Sequence, residues 1–559
     1  MFKIAVFNFF VQMYFFQICR ILATNNSPLR SHIQSKIIIT NSHKFINPVT
    51  GDNEFWADAY NNRNSPENLL RYDEAIKRGP NDPKAYYNKG NALCNLSGYN
   101  EAIREYDKAI KLKPDYALAY YNKGFALFSL LRYKEAIRAY DEAIKLKPNL
   151  VEAYYNKGTA LLNLARYEEA IRAYDEAIKL NSGLVKAYVN KGTALDGLLR
   201  HQEAIKEYDQ VIKREYAFAY NLKGVALHRL LRYEEAIKEY DKAIKLSPDY
   251  TLAYHNKGFT LFCLLRYKEA IREYDKTIKL DPNDIEAYYN KGTALLNLAR
   301  YEEAIGAYDE AIRQRPDYAL AYNLKGVVFH NLLRYEEAIK EYDQAIKLKP
   351  DYAEAYHNKG LALCNLSRYE EAVLAYDEAI MLRQYYASSY YNKGLALYNL
   401  ARYEEAVLAY DEVIKLKQDF TLAYYNKGLA LYNLARYEEA VLAYNEAIRL
   451  KHDDVSAYYN KGTTIDLSRY TDEIIAYDKA IMLKQNFIGA YINKGTAFDD
   501  FARYTDVIEA YDAAIRLNDK LILAYLGKAK TLQKTIEDDR LLSTKTSFSS
   551  FSKKTKITK

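Results

Sequence analysis

The sequence predicts an all-α solenoid of helix-turn-helix repeats, and three observations carry that prediction. First, the hexapeptide A-Y-Y-N-K-G, or a near copy, returns along most of the 559 residues. Its glycines are Gly90, Gly124, Gly158, Gly192, Gly224, Gly258, Gly292, Gly326, Gly360, Gly394, Gly428, Gly462 and Gly495. Second, the interval is 34 residues, broken only by a 32 between Gly192 and Gly224 and a 33 between Gly462 and Gly495. A fixed period in this range marks an array rather than a string of globular domains. Third, apolar residues inside each period recur at three- and four-residue steps, the helical signature.

One unit shows both helices. In the first, from Pro83, Ala85, Tyr86, Ala92, Leu93 and Leu96 form an apolar stripe around Gly90. Ser97-Gly98 breaks it. Tyr99, Ala102, Ile103, Tyr106, Ala109, Ile110 and Leu112 form a second stripe, which Lys113-Pro114-Asp115 ends because proline cannot continue a helix. Gly90 and Ala102 are small where two axes must approach. A glycine inside a helix costs about 1 kcal/mol against alanine, so its recurrence predicts close packing. Glu-Glu and Glu-Lys runs such as Glu168-Glu169 and Lys238-Glu239 are expected on the exposed face of the second helix.

The ends depart from the pattern. Residues 1–23 are an apolar, aromatic leader, too short for a comfortable membrane span and interrupted by Asn8, Gln12 and Gln17. More positive charge follows it than precedes it, the reverse of a secretory signal. A signal or anchor and a mere apolar leader both stay open. Residues 24–51 read as a linker, 52–81 as a truncated repeat, 82–523 as thirteen repeats and 524–536 as a capping helix with Ala529 in the glycine's place. Residues 537–559 form a basic Ser/Thr/Lys-rich tail. Atypical end units are expected, because each has one face turned to water.

The net charge of +7 falls to −3 once the five bases of residues 1–50 and the five of residues 541–559 are set aside. The array is near neutral, which speaks against a nucleic-acid partner. Cys19, Cys94, Cys263 and Cys364 form no close pair. Free thiols in a reducing, cytoplasmic compartment fit that spacing better than disulfides or zinc; an anchored or exported chain is the alternative.

The pattern resembles the tetratricopeptide repeat (TPR) family: an aromatic four residues before the glycine (Tyr86, Tyr120, Tyr154), an apolar residue three after it (Leu93, Leu127), then Tyr99, Ala102, Tyr106, Ala109 and Pro114. The resemblance covers about 450 residues. It implies one continuous right-handed superhelix over residues 52–535, with a concave groove lined by the first helix of each unit. Departures are the Lys before every glycine (Lys89, Lys123, Lys157 and onward), Glu473 in the slot of Ala102, a lost residue between Gly462 and Tyr470, and no proline after Pro350.

On that fold the candidate ligand contacts are an asparagine column two residues before the glycine: Asn88, Asn122, Asn156, Asn190, Asn256, Asn290, Asn358, Asn392, Asn426, Asn460 and Asn493. A groove-facing amide can both donate to and accept from an extended peptide backbone. The arrangement is similar to the asparagine ladders of long superhelices in this family. Leu222 and Leu324 break it. Beside it lie Tyr87, Tyr121, Tyr155, Tyr289, Tyr391, Tyr425 and Tyr459, large and amphipathic as interface residues are. Packing between helices, or recent copying of units, would produce the same column. Tyr390–Glu412 and Tyr424–Glu446 differ only at Asp411 against Asn445.

Other chemistries fit less well. A carboxylate clamp needs bases where this groove holds Tyr155, Thr159, Phe125 and Leu162, so the regular Lys reads as a solvated stem over apolar surface. His228 and His255 lack a third metal ligand. No phosphate loop, nucleophile motif or metal spacing appears, and the segments outside the array are too short for a catalytic domain. The expectation is a protein-interaction scaffold without cofactor that binds a protein or peptide, with membrane association open through residues 1–23.

Overall fold

The computed structural model describes residues 66–213, 215–465, 470–500 and 503–537. The leader, the linker, the start of the truncated repeat, the lost-residue segment at 466–469 and the basic tail lie outside them. Among the described residues there are 28 helices and no strand. They group into two compact units, one ending at Arg300 and one starting at Tyr301.

The first unit begins with a single helix, Pro66–Arg78. Hairpins of two helices follow, called A and B here, from Pro83–Asn95 and Tyr99–Leu112 to Thr251–Cys263 and Tyr267–Leu280, then a last helix A, Ile285–Asn297. The second unit begins with helix B Tyr301–Gln314 and runs through hairpins from Ala319–Asn331 and Tyr335–Leu348 to Ile488–Asp500 and Tyr504–Leu517, closing on a helix at 522–537.

Each helix A buries its alanines and the residues around the glycine. Each helix B buries a stripe such as Ala136, Ile137, Ala139, Tyr140 and Ala143. Eleven of the twelve largest fully buried side chains are the helix-B tyrosines from Tyr106 to Tyr444. That column explains the glycines. A Cβ on Gly124 would lie 2.6 Å from Cε1 of Tyr140, and one on Gly394 at 2.6 Å from Tyr410. The glycine makes room for a ring of its own hairpin. In the helix at 522–537 Ala529 stands in the glycine's slot, and among the described residues no helix B follows it.

The turn from A to B falls at Ser97-Gly98, as the sequence predicts. Its left-handed residue is Ser97 (φ 59°), while Gly98 has φ −80° and caps helix B. Other units place Leu131, Ala165, Leu265 or Ala401 in the left-handed slot, at φ 55–62°. The turn therefore owes nothing to glycine. The missing prolines change no boundary: helix B ends at Leu416 as it does at Leu112. The unit that lost a residue does change, because its helix A stops after ten residues at Thr464.

Two charged seams join successive hairpins. The Lys before a repeat glycine reaches the Asp of the preceding helix B, as Lys157 to Asp141 and Lys427 to Asp411, both at 2.6 Å, and Lys257 to Asp241 at 2.8 Å; before Gly462 that Asp is replaced by Asn445. The solvated-stem reading of this Lys is corrected by that contact. Burial pulls the Lys257 ammonium down, yet Asp241 and Glu273 hold its pKa above the ordinary value. A second seam runs from the Arg at the start of one helix B to a Glu of the helix B before it, as Arg402 to Glu370 at 3.0 Å. Glu239, expected on the exposed face, is buried and accepts from Lys242.

Candidate functional site

Helix A sets its residue types at fixed register, so the asparagine and tyrosine columns fall on one face of the stack. The structure brings the two columns together. The Nδ2 of Asn122 donates to the Tyr87 hydroxyl at 3.1 Å, Asn156 to Tyr121 at 3.0 Å and Asn190 to Tyr155 at 3.1 Å. The pairing repeats in the second unit: Asn426 to Tyr391, Asn460 to Tyr425 and Asn493 to Tyr459, at 2.8 to 2.9 Å. Each bond joins one hairpin to the one before it.

The two breaks in the column keep the bond. Where Leu222 and Leu324 stand, the asparagine has moved one residue towards the N-terminus. Asn221 and Asn323 then occupy the tyrosine's slot and accept from Asn256 and Asn358 at 3.0 and 3.1 Å. The sequence reading missed Asn221 and Asn323. The signal was an offset of one period plus one residue between the columns.

Exposure separates the members. Asn122, Asn156, Asn190 and Asn256 are buried, with Tyr87, Tyr121 and Tyr155. Asn122 donates its second hydrogen to Asn91 as well, at 2.8 Å, so both hydrogens are engaged inside the stack. The expectation of amides pointing freely into a groove is corrected at these four positions: the helix-A face there is an inter-hairpin contact. Asn88, Asn290, Asn358, Asn392, Asn426, Asn460 and Asn493 are half-buried, as are Tyr289, Tyr391, Tyr425 and Tyr459. Burial pushes the Tyr155 and Tyr391 hydroxyls up to about 12, against the lowering effect of Asn190 and Asn426. They are neutral hydrogen-bonding groups at neutral pH.

A second asparagine column went unread. It occupies the last residue of helix A: Asn95, Asn163, Asn297, Asn331, Asn365, Asn399 and Asn433. Asn95, Asn365, Asn399 and Asn433 are exposed. Each of the last three donates to the carbonyl four residues back (Leu361, Leu395 and Leu429), which fixes the amide at the helix end; Asn365 also meets Nε2 of His330 at 3.2 Å and Asn433 donates to the Tyr398 hydroxyl at 3.1 Å, both in the hairpin before. The 34-residue period was the available signal.

The histidines do not converge. Nδ1 of His228 meets Thr260 at 2.9 Å, His255 meets Asp284 at 3.0 Å and His357 meets Ser389 at 2.8 Å. Burial holds His330 down to about 4 and His357 to about 3. Among the described residues no cluster could hold a metal ion and no helix is long and apolar enough to cross a membrane. Cys94, Cys263 and Cys364 are half-buried, and burial pushes the Cys94 and Cys364 thiols up to about 11.

Models of the tetratricopeptide repeat match residues 72–104, 117–150, 151–184, 185–218, 264–319, 289–353, 323–389, 391–455 and 425–488. A TPR-repeat model matches 90–130 and 232–263. No curated protein matches the chain. Similar solved structures include the APC/C hetero-tetramer Cut9-Hcn1 (16% identity, 83% of this chain and 93% of that one, TM-score 0.34). Another is YrrB, described as a TPR protein with an unusual peptide-binding site (29% identity, 33% and 97%, TM-score 0.31). A third is yeast Tom70 (16% identity, 83% and 99%, TM-score 0.30). At these TM-scores the likenesses add nothing to what the repeat models establish.

Proposed function

The chain belongs to the tetratricopeptide-repeat family, and from that premise we propose that this protein-interaction scaffold holds extended segments of partner proteins along its helix-A face. The observation that carries the reading is one exposed or half-exposed amide per hairpin at constant register, Asn365, Asn399 and Asn433. Rungs about one helix diameter apart, roughly 10 Å, meet every third residue of an extended chain at about 3.3 Å each. Asn392 and Asn426, half-buried beside Tyr391 and Tyr425, lie two turns earlier on the same helices as Asn399 and Asn433, and Asn460 beside Tyr459 continues their column. The buried Asn122, Asn156 and Asn190 serve stacking. No group in this reading performs covalent chemistry; the chain acts by binding.

The test starts from extended peptides selected on the full-length chain by display. Replacing Asn365, Asn399 and Asn433 together by Ala removes three hydrogen-bonding groups, each worth about 0.5–1.5 kcal/mol net. The expected loss of affinity is at least tenfold, with helicity kept and a smaller loss of stability than at the buried set, since Asn365 and Asn433 also bond His330 and Tyr398 of the hairpin before. Replacing Asn122, Asn156 and Asn190 should instead lower stability. Unchanged peptide affinity in the first variant would refute the exposed ladder.

A further inference from the structure

In helix Ala387–Asn399, Tyr391, Leu395, Tyr398 and Asn399 stand four, three and one apart, so they share one face. None of the four is fully buried, and the next hairpin repeats the set from Tyr425 to Asn433. The position four after the repeat glycine sets these two hairpins apart, since it holds tyrosine only at Tyr398 and Tyr432. Each ring rests against the first tyrosine of its own helix B. Tyr398 lies 5.3 Å from Tyr403 and Tyr432 lies 5.6 Å from Tyr437, centroid to centroid. Tyr432 and Tyr437 are 40 and 47% exposed. A notch of two aromatic rings thus recurs once per hairpin.

The rung spacing restricts which backbone can use these notches. Rungs roughly 10 Å apart meet every third residue of a ligand. In a β-strand, side chains three apart point to opposite faces. In polyproline II three residues make one turn of about 9 Å, and side chains three apart return to the same side. A segment that presents one side to successive hairpins is therefore a threefold helix.

Charge and hydrogen bonding narrow the ligand further. Helices Ala387–Asn399 and Thr421–Asn433 hold no acid and one Lys each, and both are engaged: Lys393 by Asp377 and Lys427 by Asp411, at 2.6 Å. A charged ligand would lose water on this face without gaining a partner. Both amide hydrogens of Asn433 are taken, by the Tyr398 hydroxyl and the Leu429 carbonyl, which leaves its Oδ1 to accept. The Tyr398 hydroxyl accepts there and keeps its own hydrogen for a ligand carbonyl. We propose that the helix-A face of residues 387–450 takes neutral, proline-rich segments in the polyproline II conformation. One proline enters each ring notch, and Tyr398, Asn399 and Asn433 meet the backbone between prolines. Aromatic-lined grooves suit such segments because their conformation is already formed and little entropy is lost on docking. The inference rests on the helix-A reading above and names the ligand class of that face.

The experiment titrates the full-length chain, by anisotropy, with two fluorescent peptides of about twelve residues. One has proline at every third position with Ser and Gln between; the other has Val for each Pro. The expected result is at least tenfold tighter binding of the proline peptide. Tyr398→Ala/Tyr432→Ala should bring the two affinities within about twofold, with circular dichroism checking the fold. Because Tyr398 also bonds Asn433, Tyr432→Ala alone is the second variant, and it should cut the preference about threefold. Equal affinities that both fall in Asn365→Ala/Asn399→Ala/Asn433→Ala would overturn the proline class and leave the amide ladder standing. Equal affinities that ignore that variant would remove the ladder and this inference together. Tighter binding of the valine peptide would make a strand the occupant and overturn the proposal. So would a proline preference that survives both tyrosine variants.

Discussion

Residues 117–196 and 387–465 fold into the same hairpins and make the same bond between them, Asn156 to Tyr121 at 3.0 Å and Asn426 to Tyr391 at 2.9 Å. Yet Asn156 and Tyr121 are buried, whereas Asn426 and Tyr391 are half-buried. The side chains beside the seam differ. Four residues after the glycine the first region has Phe128 and Leu162, both buried; the second has Tyr398, half-buried, and Tyr432, 40% exposed. On helix B, Arg138 and Arg172 give way to Leu408 and Leu442. The repeated motif sets how hairpins join. A few unconstrained positions set what each region offers a partner.

The largest expected effect extends this comparison towards the C-terminal end. Residues 455–535 combine a ten-residue helix A, turns without proline and Glu473 in a small-residue slot. In an array a weak unit loosens its own neighbourhood first. A compatible turn proline stabilises by about 0.4–1 kcal/mol. Amide hydrogens there should exchange about ten to a hundred times faster than in residues 85–180, a gap of roughly 1.4–2.8 kcal/mol in local opening. Hydrogen-exchange mass spectrometry decides it, and equal protection would show that stacking outweighs these local defects.

Next in size is the glycine. Gly158→Ala places a Cβ 2.7 Å from the buried Tyr174 ring, and Gly394→Ala one at 2.6 Å from Tyr410. Overpacking costs about 1–3 kcal/mol, which exceeds the gain of about 1 kcal/mol in helix propensity at the upper end. Both variants should open their own hairpin more readily, by similar amounts. A stabilised Gly394→Ala beside a destabilised Gly158→Ala would mean the second region has slack that the static geometry hides.

A smaller effect separates tyrosines of one column. The Tyr106 hydroxyl donates to Asn91 at 2.8 Å, while those of Tyr140 and Tyr410 are buried without a partner. The residue after the glycine decides this: Asn91 in one unit, Phe125 and Leu395 in the others. Tyr106→Phe should destabilise by about 0.5–1.5 kcal/mol, whereas Tyr140→Phe and Tyr410→Phe should be neutral or mildly stabilising. Denaturant-dependent hydrogen exchange of each hairpin can rank the three.

The smallest effect depends on pH. Burial pushes the Glu473 carboxyl up from 4.5 to about 7. The folded chain thus favours the protonated form, and ionisation works against folding. Protection of residues 470–500 should fall as pH rises from about 4.5 through 7. Glu473→Gln should flatten that slope while residues 85–180 show none of it. A slope unchanged in Glu473→Gln would assign the dependence to another group.

The fold was legible because one period fixed everything that repeats: Gly90, Ala102, Tyr106 and Ala109 appear in one unit and again in the next. The seams were less so. Lys157 and Asp141 are both regular columns, but their contact spans two hairpins, and a residue read within its own helix looks merely solvated. The asparagine and tyrosine columns were each visible, and each was assigned to a ligand. Helical periodicity gives the face of a residue without saying whether the neighbouring hairpin covers it, so Asn156 looked accessible. The second column at Asn365, Asn399 and Asn433 lies at the helix end, outside the hexapeptide that drew attention to the first.

The seams have a consequence for how this chain can change its length. Within each compact unit, Lys meets Asp mostly sixteen residues back, and Asn meets Tyr thirty-five back. Both offsets are counted from one hairpin to its immediate neighbour. Excising one whole 34-residue segment, such as residues 392–425, brings Asn426 to the place Asn392 held, with the same neighbours on either side. Neither a missing nor an extra segment leaves a broken pair, so selection for folding is blind to the number of segments. Slippage between near-identical copies would therefore yield longer and shorter versions that fold equally well, differing in how much partner surface they span. The molecule is graduated like a ruler, and its total reach is free to drift until a partner of fixed size sets it.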